Sequence, residues 1–178
     1  LQHISADVLA SMKRGIDKQG TLALMQMFRE KLPDVAIRTA LIVGYPNETE
    51  DDFEQLKEFV RDMRFDRLGV FCYSAEEGTP SFPLGDTVSD EEKQRRMEEI
   101  MRLQETISIE KNSEKVGKEY MVLIDRLEGN FWVGRTEYDS PEIDNEVLIS
   151  TEEDLKVGQF YKVKITEAME YDLMAELC

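Results

Sequence analysis

Three predicted strands of the chain end in residues that could line a ligand site. Gln2 and His3 end the first strand, Gly44 ends the second, and Tyr73 and Ser74 end the third. Because parallel strands end at the same edge of a sheet, we expect these positions to gather at one mouth and to line a pocket there. Ligands of parallel-sheet proteins bind at such edges.

Two interpretations stay open for most of these side chains. His3 is the only histidine of the chain, and it is either a plain hydrogen-bonding residue or a proton shuttle. Gln2 either binds a ligand amide or ribose, or it satisfies backbone groups. Cys72 lies within an apolar strand and is interpreted as a small core residue.

A charged residue interrupts the first apolar strand. Arg38 stands there, and a buried guanidinium has to be paired. Its partner is predicted to be either the carboxylate of a ligand or a protein acid, Asp66 or Glu48. The loop segment 76–80 is either a substrate contact or a solvated turn.

The stretch 37–53 carries the clearest structural signal. Its apolar run suits a strand covered on both faces, and Gly44 and Pro46 end that strand. Thr49 or Asn47 is predicted to cap the helix that follows, whose first turn is acidic. This is one strand–helix unit of a parallel sheet.

Hydrophobic periodicity predicts alternating helices and strands over the first two thirds of the chain. That order implies a parallel sheet with right-handed crossovers, as part of a βα barrel or of an open doubly wound sheet. The predicted elements are helices Ser5–Arg14, Thr21–Lys31, Thr49–Met63 and Ser89–Asn112, strands Ala36–Val43 and Leu68–Tyr73, and an irregular loop over 74–88.

After Val116 the period changes from helical to alternating. Five short strands are predicted, which is typical of a small closed barrel of the OB type. We therefore predict an α/β chain of two domains, 1–116 and 117–178. The five strands are Tyr120–Asp125, Phe131–Thr136, Glu146–Ile149, Phe160–Glu167 and Asp172–Leu177.

The charge of the chain restricts its partners. The formal net charge is -16, and residues 115–178 hold 7 basic and 15 acidic side chains. Binding of nucleic acid through counterion release needs Lys and Arg facing phosphates, so the acidity favours a cationic partner. The alternative is that the charge only keeps the protein soluble.

Composition also predicts a location. No apolar run approaches the roughly 20 residues that span a bilayer, so we expect a cytoplasmic protein without membrane contact. The two cysteines, Cys72 and Cys178, are too few for a metal cage and are expected to be reduced. The chain starts at Leu1 rather than Met, which predicts that it is part of a longer protein.

Taken in order, a set of short motifs closely resembles the radical S-adenosylmethionine methylthiotransferases. The resemblance covers the whole chain, because that family follows its radical barrel with a small β domain called TRAM. The second half of the barrel is thus expected at 1–116, and TRAM after it. The motifs are Leu1–Ser5, Val8-Leu9, Met12–Arg14, Ile42–Pro46, Glu48–Glu50, Phe65-Asp66, Tyr73-Ser74 and Gly78–Pro80.

Within that family the chain is most similar to the branch that methylthiolates the β-carbon of an aspartate in protein S-twelve of the small ribosomal subunit. His3 stands where the tRNA-modifying branch usually has Ser, and the segments 141–144, 165–166 and 170–173 look like the tail of the protein-modifying branch. A basic ribosomal protein also suits an acidic TRAM-like domain better than tRNA does.

The resemblance implies S-adenosylmethionine and two [4Fe-4S] clusters as cofactors of the complete enzyme. The three-cysteine motif that holds the radical cluster is not in this sequence, and Cys72 and Cys178 do not match it. The chain alone is therefore expected to be inactive and to hold no catalytic or metal-ligating residue. The resemblance places these residues at the S-adenosylmethionine pocket: Gln2, Ser5, Arg38, Val43, Gly44, Tyr73 and Ser74.

Two other functions stay open. A tRNA adenosine methylthiotransferase would bind tRNA with a steep salt dependence. A non-catalytic acidic interaction module is the alternative of another class.

Overall fold

The computed structural model describes residues 1–141 and 143–178, which form two compact units, 1–104 and 105–178. The second unit starts inside the last helix, whereas the predicted domains, 1–116 and 117–178, follow the change of period. That domain assignment stays a prediction. Glu142, from the tail motif at 141–144, lies outside the described residues. In the described part of the chain, no helix combines the length and apolar character needed to cross a membrane.

The first unit alternates helices with two strands, and the predicted helices and the strands predicted at 36–43 and 68–73 are present within a few residues of their expected bounds. The prediction of a strand that ends at Gln2 and His3 is wrong, because that segment is not in a strand. The elements are α1 (Ala6–Ser11), α2 (Lys18–Lys31), β1 (Arg38–Val43), α3 (Glu50–Met63), β2 (Arg67–Cys72), a 3-10 turn (Phe82–Leu84) and α4 (Asp90–Ser113), the last of which continues into the second unit.

The strands β1 and β2 pair in parallel, from Arg38 opposite Arg67 to Val43 opposite Cys72. A backbone hydrogen bond from the amide of Ile42 to the carbonyl of Gln2, 2.8 Å long, joins the segment before α1 to β1. The predicted α/β fold with a parallel sheet is confirmed.

The two faces of β1 differ in burial. Leu41 and Val43 are fully buried on one face, while Arg38 and Ala40 on the other face are exposed. Since side chains alternate across a strand, only one face is covered over the first half of β1. The prediction that this strand is covered on both faces is therefore wrong there.

The start of α3 is fixed by a capping box. The backbone amide of Asp52 donates to Oγ1 of Thr49 at 3.1 Å, and the amide of Thr49 donates to Oδ2 of Asp52 at 2.9 Å. Both bonds satisfy amides that the first helical turn leaves free. Thr49, rather than Asn47, is thus the N-cap.

The second unit is a closed five-stranded barrel with the order β3-β4-β5-β7-β6. All neighbours pair antiparallel except β5 and β7, which are parallel. The predicted small barrel is confirmed. Its strands are β3 (Glu119–Glu128), β4 (Phe131–Arg135), β5 (Val147–Ile149), β6 (Phe160–Ala168) and β7 (Leu173–Leu177).

The barrel interior is apolar and closely packed. Side chains such as Val122, Ile124 and Val163 are fully or nearly fully buried in it. A Cβ at Gly134 of β4 would overlap the carbonyl oxygen of Leu123 in β3, so only glycine fits at this point of the β3–β4 pair.

The C-terminal end of α4 is attached to the barrel by a buried amide. Asn112 is 1% exposed, and its Nδ2 donates to the carbonyls of Met169 and Glu170 at 3.2 and 3.3 Å. Ser108 Oγ donates to the same Glu170 carbonyl at 3.0 Å. These bonds fix the turn between β6 and β7 against the helix.

Candidate functional site

A pocket of about 300 Å³ lies at the carboxyl ends of β1 and β2. Gln2 lines it from the segment before α1, Ile42 from β1, and Tyr73 and Ser74 from the end of β2. Residues 79–81 of the following loop complete one side. Parallel sheets bind ligands at the carboxyl ends of their strands, so this position is the expected one for a ligand pocket.

Three of the predicted pocket residues meet there: Gln2, Tyr73 and Ser74. The 79–81 side of the pocket includes Thr79 and Pro80 from the motif at 78–80. The contact of segment 76–80 with substrate stays a prediction, as do the cofactor contacts of these three residues.

Ser5 is brought close but does not line the pocket. It is 2% exposed, and its Oγ donates to Oδ1 of Asp52 at 2.5 Å. Burial disfavours the Asp52 carboxylate, but hydrogen bonds from Ser5 and Thr49 outweigh burial and lower the pKa of Asp52. The Ser5 hydroxyl thus joins the N-terminal end of α1 to α3.

Val43 and Gly44 also lie behind the pocket rather than in its lining. The Val43 carbonyl accepts a hydrogen bond from the Tyr73 amide at 2.8 Å. Gly44 has a φ of 73°, and the side-chain stem of Lys93 packs against its Cα, so that an added Cβ would overlap Cγ of Lys93. Gly44 is therefore required by the turn and by this packing.

Arg38 is at the other edge of the sheet. It is the first residue of β1, whereas the pocket lies beyond the last, and it is exposed. The prediction of a buried guanidinium is wrong, because the face of β1 that carries Arg38 is uncovered. The predicted pairing of Arg38 with a ligand carboxylate has no support from this position.

Tyr45 is a pocket residue that sequence reasoning missed. Its ring packs edge-on against the ring of Tyr73, with centroids 5.3 Å apart, and Ser11 Oγ donates to its hydroxyl at 3.3 Å. The available signal was its position directly after Gly44, at a strand end.

The phenol of Tyr73 carries a polar atom without a partner. Tyr73 is 8% exposed, and its Oη makes no hydrogen bond among the described residues. A buried hydroxyl in this state costs roughly 1–3 kcal/mol relative to a paired one. Because the oxygen itself is buried, this hydroxyl is expected to add nothing to the stability of the fold.

Replacement of Tyr73 by Phe tests this assignment. We expect the free energy of unfolding in urea to stay unchanged or to rise by up to about 1 kcal/mol, because no bond is lost. Tyr45→Phe, which removes a paired hydroxyl of the same pocket, is the matched control and should lose about 0.5–1 kcal/mol. A loss above about 1 kcal/mol in Tyr73→Phe would show that its hydroxyl is bonded.

A buried histidine lies directly behind the pocket. His3 is fully buried, its Nδ1 accepts from the Ser5 amide at 3.0 Å, and its Nε2 lies 3.8 Å from Oε2 of Glu48. Burial lowers the pKa of His3 to about 4, so the ring is neutral at pH 7 and Nε2 carries the proton. This geometry favours the plain hydrogen-bonding interpretation over the proton shuttle.

Glu48 is held by an arginine from α4. Nη1 of Arg96 donates to Oε1 of Glu48 at 2.8 Å, and the side chains are 6% and 0% exposed. Burial raises the pKa of Glu48, although Arg96 opposes this. Sequence reasoning missed this pair, because the two residues are far apart along the chain.

The two cysteines do not fit an iron–sulfur cluster. Cys72 lines the pocket with its Sγ 3.9 Å from Sδ of Met97, and burial raises the pKa of its thiol. Cys178 belongs to the other unit and is exposed. Among the described residues no group of three or more His, Cys, Asp or Glu could hold a metal ion. A [4Fe-4S] cluster takes its ligands from several thiolates in one place.

Comparisons with known proteins found similarity in both parts of the chain. Residues 116–178 match the TRAM domain. Over 99% of its length, the chain is similar to proteins named ribosomal protein uS12 methylthiotransferase RimO. Identity is 54% to that of Christiangramia forsetii, 55% to that of Flavobacterium psychrophilum and 51% to that of Phocaeicola vulgatus.

These matches cover 39%, 41% and 41% of those relatives respectively. The chain thus spans about two fifths of the length of the curated relatives it matches. The resemblance to the methylthiotransferases predicted from the motifs is confirmed: this chain is similar in sequence to about two fifths of the length of these RimO proteins, and its residues 116–178 match the TRAM domain.

Proposed function

We propose that this chain is part of an enzyme that methylthiolates the β-carbon of an aspartate in protein uS12 of the small ribosomal subunit. The observation that carries the proposal is the identity of 50% or more to RimO proteins along nearly the whole chain. Its TRAM domain and its parallel sheet with a pocket at the strand ends agree with it.

In this function the pocket forms one side of the S-adenosylmethionine site. When bound, that cofactor supplies the radical that removes hydrogen from the substrate, and the methyl group that is transferred. The Gln2 amide offers hydrogen bonds to its polar groups, with Tyr73 and Ser74 at the same rim. A volume of about 300 Å³ is at the lower end for small-molecule sites.

The iron–sulfur ligands belong elsewhere in the proposed enzyme. Cys72 and Cys178 do not fit a [4Fe-4S] cluster, so we propose that both clusters are held by residues outside this chain. The chain by itself is accordingly expected to bind S-adenosylmethionine without catalysing methylthiolation. Its location in the cytoplasm stays a prediction.

The barrel is proposed to bind the basic substrate protein. Residues 115–178 carry 15 acidic and 7 basic side chains, and several of the basic ones are already paired. Arg126 binds Glu146 at 2.7 Å, Arg135 binds Asp125, and Lys162 binds Glu119. These pairs engage three of the seven cations, and the acidic residues outnumber the basic ones by eight, which suits a cationic protein better than phosphates.

A salt series with purified uS12 and, separately, tRNA tests the substrate assignment. We expect the chain to prefer uS12, with a dissociation constant that rises at least tenfold between 50 and 300 mM salt, because the attraction is electrostatic and screened. Neutralising the exposed loop residues Glu152, Glu153 and Asp154 as Gln, Gln and Asn should weaken binding of uS12 about threefold or more.

The matched control neutralises three exposed acids of the first unit instead: Glu58, Asp62 and Glu91. It changes the net charge equally, so a local surface on the barrel predicts a smaller effect from it. Equal effects of the two sets would assign the attraction to total charge alone. A preference for tRNA would move the assignment to the tRNA-modifying branch.

A further inference from the structure

A buried chain of contacts connects α4 to the pocket. It starts at Arg96, whose guanidinium binds the Glu48 carboxylate at 2.8 Å, the Glu48 carbonyl at 3.2 Å and Oε1 of Glu92 at 2.7 Å. The planar guanidinium therefore fixes both the side chain and the backbone of Glu48.

Glu48 in turn holds the turn that follows β1. Its Oε2 accepts from the backbone amide of Tyr45 at 3.1 Å, and its own amide donates to the Tyr45 carbonyl at 2.9 Å. The carboxylate thus divides its two oxygens between Arg96 and the turn. A lost or reoriented Glu48 releases the Tyr45 amide into a buried site.

Tyr45 transmits this arrangement to the pocket itself. Its ring is 4% exposed, packs edge-on against Tyr73 and lines the pocket beside Ser11 and Ile42. A movement of the turn therefore moves the Tyr45 ring and changes its contact with the Tyr73 ring at the aromatic side of the pocket.

We propose that Arg96 and Glu48 are positioning residues for ligand binding in this pocket, which they act on through Tyr45. A buried ion pair is weak evidence for stability, since apolar residues of similar volume often serve the fold as well. Here, however, the pair bonds directly to the backbone of a pocket turn, so its specific contribution is geometry. This proposal rests on the proposed function, in which the pocket binds S-adenosylmethionine.

Arg96→Met in this chain is the first test, with two readouts. S-adenosylmethionine should bind at least tenfold more weakly by calorimetry, and the NMR signals of the Tyr45 and Tyr73 rings should shift. Arg96→Lys keeps the charge but loses the fork, so it should restore part of the affinity. Arg102→Met is the matched control, because Arg102 lies on the same helix, is mostly exposed and pairs with Glu98.

Glu48→Gln provides a nearly isosteric second variant in case Arg96→Met does not fold. The amide oxygen of Gln can still accept a hydrogen bond from the Tyr45 amide, but Gln has no charge to bind Arg96. We therefore expect a loss of S-adenosylmethionine affinity smaller than that of Arg96→Met. Folded variants with unmoved tyrosine signals and wild-type affinity would overturn the proposal.

The experiment distinguishes a failure of the proposed function from a failure of this positioning proposal. If the wild-type chain binds no S-adenosylmethionine at millimolar concentration, the pocket assignment falls. The tyrosine signals of Arg96→Met and Glu48→Gln then still decide whether these residues position the turn. Shifted signals in Arg102→Met as well would show a general response of α4 and would also overturn the proposal.

Discussion

Replacement of Gly44 by Ala should lower the free energy of unfolding of this chain by about 3 kcal/mol. The φ of 73° costs an alanine roughly 1–2 kcal/mol, and overlap of the new Cβ with the Lys93 stem adds an overpacking cost of roughly 1–3 kcal/mol. Urea unfolding followed by fluorescence and circular dichroism measures the loss.

Gly69→Ala is the matched control for this change. Gly69 lies in β2 of the same sheet, and a Cβ there would meet Phe71 at an ordinary 3.5 Å. We expect an effect within about 0.5 kcal/mol. The double variant Gly44→Ala with Lys93→Ala should recover part of the packing cost, so strictly additive losses would contradict the overlap with Lys93.

Acidification should lower the free energy of unfolding of the wild-type chain more than that of the His3→Asn variant. The folded-state pKa of His3 is lowered from 6.5 to about 4, so the unfolded chain binds the proton more readily across that window. Stability from His3 is therefore complete above about pH 6.5 and is lost as the pH falls toward 4, by about 2 kcal/mol at pH 4.5. Unfolding in urea at pH 4.5 and pH 7 measures it.

Other titrating groups around His3 are common to both proteins. Glu48 has a raised pKa and so contributes the opposite slope, while Asp52 has a lowered pKa and loses its contribution only at lower pH. Arg96 stays charged throughout. The Asn side chain can accept from the Ser5 amide as Nδ1 of His3 does. Parallel pH profiles of the two proteins would show that His3 is not buried in neutral form.

Local patterns were sufficient for much of the fold. The period of apolar residues predicted α3 and β2, and the change of period near Val116 predicted the barrel. These features depend on residues two to four positions apart, which interact within one element. The cap at Thr49 followed from local hydrogen-bonding chemistry in the same way.

Long-range pairing was the part that the sequence left open. Arg38 was assigned to a buried pair because it interrupts an apolar run, yet that face of β1 is uncovered. The buried pair instead joins Glu48 to Arg96, which lies on a later helix. Nothing in the local pattern distinguishes Arg96 from its exposed neighbours on α4.

Local sequence patterns were enough to predict the parallel sheet and the barrel. They also predicted that Gln2, Tyr73 and Ser74 meet at one pocket, because strand ends in a parallel sheet share an edge. The place of Tyr45 in that pocket, and the packing of Gly44 against Lys93 behind it, became evident only from the folded chain. Those outcomes depend on how α4 packs on the sheet, and packing between distant segments is set by shape and burial rather than by period.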